Sequence, residues 1–115
     1  MNTSYVTLGA EGTFVEQLAS IARLCEQRLA AFVDVAAMQP DAAFRNIVTF
    51  AIGTLRAAAD HAPLSDTDIR LVRDAAVDAA DVCRERGLDG DLLAAAAAFD
   101  RAVALCQRAL GVRFA

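Results

Sequence analysis

Between Phe44 and Leu55 the chain runs Phe-Arg-Asn-Ile-Val-Thr-Phe-Ala-Ile-Gly-Thr-Leu, its most apolar stretch, and the apolar positions recur with the period of a helix. At about 100° per residue, Phe44, Ile47, Val48, Ala51, Leu55 and Ala58 share one stripe, with Ile52 on one flank and Phe50 on the other. Only a narrow polar strip remains, formed by Arg45, Asn46, Thr49, Gly53, Arg56 and Asp60. So wide an apolar arc has to be covered by more than one neighbour, within the monomer or across a subunit contact.

Three further segments carry the same period. Phe14, Leu18, Ile21, Cys25, Leu29, Phe32 and Ala36 follow Thr13 and Glu16, a capping box whose hydroxyl and carboxylate each satisfy a backbone N–H of the first turn. This predicts a helix over 14–38 that Pro40 ends. Asp41 is suited to cap a second helix, over 42–61, which Pro63 keeps from continuing. Ser65 and Asp68 repeat the capping logic ahead of Ile69, Val72, Ala76, Ala79, Ala80 and Cys83, predicting a helix over 66–86 that stops at a left-handed Gly87. Asp89 or Asp91 opens the last helix, over 90–110, with Leu92, Ala95, Phe99, Val103, Cys106 and Leu110 inward and Gly111 at its close. Residues 1–12 form an N-terminal arm whose Tyr5, Val6 and Leu8 are available to a groove, and 112–115 form a short tail. Helices of about twenty residues with short connections have to run antiparallel, so the expected fold class is all-α, an up-down-up-down four-helix bundle over 13–111.

Composition then removes whole classes of function. A net charge of -4 sets general repulsion against a nucleic acid backbone, and the basic residues, all Arg, do not cluster, so no nucleic acid partner is expected. The longest uncharged run, 46–55, is far short of the roughly 18 residues a membrane helix needs, and no secretory signal opens the chain, so no membrane is expected either. Cys25, Cys83 and Cys106 are far apart and each falls on an apolar stripe, the pattern of free thiols used as small core residues in a reducing cytoplasm.

A four-helix bundle invites comparison with di-iron carboxylate proteins, but none of Glu11, Glu16, Glu26 and Glu85 is followed three residues on by His. Haem ligation fails for lack of histidine as well, and no cofactor is expected. Asp74, Asp78, Asp81 and Glu85 line one outward face of the third helix. One straight face cannot wrap a hard cation, which leaves a docking strip for a basic partner or a solvated face offset by Arg70, Arg73 and Arg84. The sole histidine, His61, ends the second helix, where exposed carbonyls favour a partly positive imidazole.

Arg56-Ala57-Ala58-Ala59-Asp60-His61 resembles the Arg-x4-His motif of HEPN-type ribonuclease bundles, and the resemblance implies an RNA-cleaving site built on Arg56 and His61, with Ala57 where that family usually has a polar residue. A different alternative is a cavity that binds a small anionic ligand, lined by Phe44, Phe99, Cys25 and Cys106 and bordered by Arg28. Arg28 lies close to the apolar stripe of the first helix, so it either snorkels to the edge or needs a carboxylate or an anionic ligand.

The function expected first is neither of these. Phe50, Leu24, Val33, Leu71, Val82 and Leu105 lie at or beyond the edges of their core stripes, with Val15 and Leu93, and apolar residues aligned on a surface mark an interface. They predict a non-enzymatic protein-interaction module whose partner is itself or another protein, as a homo-oligomer or as a small subunit of a complex. Gly53, in the middle of a helix at a cost of about 1 kcal/mol relative to Ala, calls for a close helix crossing or a partner against its backbone.

Overall fold

The computed structural model of the chain describes residues 13–33, 42–61, 63–87 and 89–114, with side chains as far as Gly111. The expected four helices are present: α1 Phe14–Val33, α2 Ala42–Asp60, α3 Asp66–Arg86 and α4 Gly90–Phe114. No strand occurs among the described residues. Each helix packs on two neighbours, α1 on α2 and α4, and α3 on α2 and α4, so α2 and α4 stand diagonally across the bundle.

The stripes do what their period requires. Leu18, Ile21, Cys25 and Leu29 of α1 meet Val48 and Leu55 of α2, Ile69, Val72 and Cys83 of α3, and Leu92, Phe99 and Cys106 of α4 in one cluster. No polar or charged residue is buried among the described residues. The pairing of α3 with α4 is the most extensive, and buried Ala75, Ala76, Ala79 and Ala80 on one helix and Ala95, Ala96, Ala98 and Ala102 on the other permit that approach.

Helix ends are set by local hydrogen bonds. The Thr13 backbone N–H donates to Glu16 Oε1 at 2.8 Å and the Glu16 N–H to Thr13 Oγ1 at 3.0 Å. Ser65 and Asp68 form the same reciprocal box at 3.1 and 3.2 Å. Asp89 starts α4, its Oδ1 accepting from the Asp91 N–H at 2.8 Å.

Two ends depart from expectation. Gly87 has φ 143° and ψ -162°, a positive-φ backbone that favours glycine but not the left-handed helical cap anticipated for it. Gly111 does not close α4, which continues to Phe114 in place of the expected tail. Positive φ is confined to Gly87 among the described residues, so Gly111 keeps a helical backbone and the last turn propagates through it. The N-terminal arm with Tyr5, Val6 and Leu8, the Asp41 cap and the proposed extension of the first helix over 34–38 lie outside the described residues.

Of the accounts of Gly53, the close helix crossing is the one that the structure removes. A Cβ built there meets no atom within 4 Å, so no helix of the monomer crosses at that point. Gly53→Ala is therefore expected to raise stability by about 0.5–1 kcal/mol, and Ser65→Ala to lower it by about 1 kcal/mol, both read as shifts in the urea midpoint.

Candidate functional site

The fold turns some apolar side chains out of its core, and they are not evenly spread. Phe50 on α2 is 57% exposed and Leu71 on α3 is 50% exposed, the two highest values among the large apolar side chains described. Both belong to the side of the bundle where α2 and α3 run next to each other. Near the α2–α3 turn the helices part to leave a cleft of about 250 Å³, lined by Thr54, Ala57 and His61 on one wall and Leu64, Asp68 and Leu71 on the other. Phe50, Thr54, Ala57 and His61 follow one another at helical steps of three and four, so the row that forms the α2 wall continues upward to Phe50. The Thr54 hydroxyl is turned back on its own helix, donating to the Phe50 carbonyl at 2.7 Å, which presents its methyl rather than its oxygen to a visitor.

Beside Leu71 runs the acidic strip of α3. Asp74, Asp78 and Glu85 are three, seven and fourteen residues beyond Leu71 and fall on its face of the helix, with half-buried Val82 between them. Arg73 pairs with Asp74 at 3.0 Å, and Arg84 with Asp81 at 2.9 Å and Asp100 at 2.8 Å. Asp78 and Glu85 form no ion pair among the described residues, so the face is only partly offset by the arginines expected to neutralise it.

The other anticipated interface residues sit differently. Leu24, Val82 and Leu105 are partly buried and pack on the core, so they are edge residues of the bundle rather than free surface. The Val33 side chain lies outside the described residues. Leu93 and Val77 are exposed, at 42% and 38%, but Val77 was not singled out from the sequence; its signal is that it falls off the Ile69–Val72–Ala76 stripe.

Of the residues anticipated around an anionic ligand, Phe44, Phe99, Cys25 and Cys106 lie in the core cluster and Arg28 stands apart from them. Arg28 is not inward: its side chain is 47% exposed and pairs with Asp91 in the first turn of α4 at 3.0 Å. The antiparallel pairing of α1 and α4 brings those two ends together, so the guanidinium has both water and a carboxylate. Phe99 is fully buried in the core, and the Phe44 ring is covered by the Arg86 guanidinium 4.8 Å from its centroid. Arg56 and His61 diverge as well. Arg56 reaches across to Glu26 of α1, whereas His61 lines the cleft toward α3, because five residues along a helix turn a side chain by about 140°.

Among the described residues no group of three or more His, Cys, Asp or Glu is placed to hold a metal ion, and no helix is long and apolar enough to cross a membrane. All three cysteines are free and buried. Burial pushes Cys25 up to about 12, helped by the nearby Cys83, and pushes Cys83 and Cys106 up to about 11. These are inert thiols, held away from the thiolate form that nucleophilic or redox chemistry requires.

No family model matches the chain, and no curated protein or solved structure matches it.

The raised thiol values fix a pH window. Folding favours the neutral thiol, so its stabilisation is complete below the ordinary thiol value of 9.0 and is lost as pH rises from there through about 11 and 12. The chain has no Lys and one Tyr to compete in that range. The urea midpoint is expected to fall steadily between about pH 9 and 11, and a chromogenic disulfide reagent at about pH 8 to leave native thiols unreacted and to titrate all three in urea.

Proposed function

We propose that this chain is a non-enzymatic interaction module that docks another polypeptide on the face shared by α2 and α3. The observation that carries the reading is the exposure of Phe50 and Leu71, the two most exposed large apolar side chains described, with Leu71 in the wall of the α2–α3 cleft and Phe50 one turn beyond its α2 wall. An exposed phenylalanine on a helix adds nothing to the monomer's core and offers a contact area of the kind that dominates interfaces. Inert, free thiols suit a protein at work in a reducing cytoplasm.

Of the two partners expected from the sequence, a second copy and a different protein, the acidic residues beside Leu71 favour a different one, since identical faces brought together repel.

Photo-crosslinking in the producing cells tests the reading. A photoreactive residue at Phe50 or Leu71 is expected to give discrete protein adducts, and one at exposed Ala104 on diagonal α4 to give none. Absence of adducts at both apolar positions, or the same adducts at all three, would overturn the proposal.

A further inference from the structure

We infer that the partner segment seated on the α2–α3 face is a basic amphipathic helix, an inference that rests on the interaction-module reading and names the chemistry of its ligand. The first argument is dimensional. The α2 wall of the cleft runs from Thr54 to His61, just past the helix end, about 10 Å or two turns, and exposed Phe50 extends the same row by one turn, which is the length over which a docked helix presents apolar residues at i, i+3/i+4 and i+7. The cleft supplies what such a row needs: exposed Leu71 stands on one wall, and small or buried Ala57, Ala58 and Val72 leave room beside it.

The second argument is charge. On the α3 side Asp68 enters the cleft itself, exposed Asp74 and Asp78 follow Leu71 along the same face, and exposed Glu85 continues that face about 21 Å beyond Leu71. Arg73 and Arg84 engage Asp74 and Asp81 from the flank turned toward α4, leaving Asp78 and Glu85 without an ion pair among the described residues. On the α2 side Arg56 is held toward α1 by Glu26, so it does not balance the α3 rim. A helix lying in the groove about 8–10 Å from α3 would bring its flanking side chains within reach of those carboxylates. Lys or Arg there gains from them and Glu or Asp is repelled. A second copy of this chain is the poorer occupant: a two-fold axis that sets α3 against α3 aligns the acidic rim with itself, and each chain carries a net -4.

The test uses the full chain and a fluorescent helical peptide of about 18 residues, with Leu at i, i+3, i+4 and i+7 and Lys elsewhere, beside a twin in which Glu replaces Lys. Anisotropy is expected to show saturable binding of the Lys peptide that weakens at least about tenfold from low salt to about 0.3 M, and no binding of the Glu peptide. Phe50→Ser with Leu71→Ser, and separately Asp74→Asn with Asp78→Asn and Glu85→Gln, are each expected to weaken it about tenfold or more. All five residues are exposed, so the melting curves should stay in place.

Failure of the Lys peptide to bind overturns the inference. So does equal binding to the Phe50/Leu71 variant, which would mean attraction to an acidic protein without use of the groove, or equal binding of the Glu peptide. A wild-type dimer in sedimentation that Phe50→Ser dissolves would install a second copy as the occupant instead. Crosslinks at Phe50 that persist while the Lys peptide fails to bind would leave the interaction module standing and remove only the basic helix.

Discussion

The bundle depends on one exclusion: no charged or polar side chain is buried among its described residues. Burial of apolar area is the main favourable term available to a chain of this size, at roughly 25 cal/mol per Å², and it is undirected. What gives it direction here is the placement of the described helical charges on the outer arcs of four helices, so that only one rotation of each rod hides its stripe without desolvating a carboxylate or a guanidinium. The same exclusion explains the chemistry that is missing. A thiol in such an interior is pinned in its neutral form, and the histidine and every arginine described are left where water screens them.

Polar interactions have a different task. Among the described residues, the ion pairs link exposed or half-buried side chains, and pairs of this kind contribute little stability. Their geometry is nonetheless informative. Arg28–Asp91 ties α1 to α4, Arg56–Glu26 ties α2 to α1, and Arg84–Asp100 ties α3 to α4. No such pair spans α2 and α3 among those ion pairs, and that is the seam with the cleft and the two most exposed apolar side chains.

The candidate site was only partly legible in advance. Phe50 and Leu71 could be named because each leaves its helix stripe, a property of one helix and its period. Leu24, Val82 and Leu105 show the same offset yet pack on the core, because the angle at which a neighbouring helix crosses decides whether an edge position is covered. Thr54, Ala57, Leu64 and Asp68 line the cleft and gave no earlier signal; a small residue, a cap and a loop leucine are unremarkable until two walls are set opposite each other. Arg56 and His61 are five residues apart in the motif that they resemble, and the helix turns them to different neighbours.

By itself the sequence determined the four rods, their capping boxes at Thr13 and Ser65, their inward stripes and the up-down connectivity, since period, cap and loop length are local quantities that each segment carries without its partners. Only the tertiary structure decided that Arg28 would meet Asp91, that Gly53 would face open space, that α4 would run on through Gly111, and that Leu71 would line a cleft opposite Thr54, Ala57 and His61. Those outcomes depend on the spacing and rotation of packed helices, which the summed fit of many side chains sets and no single stretch of residues encodes.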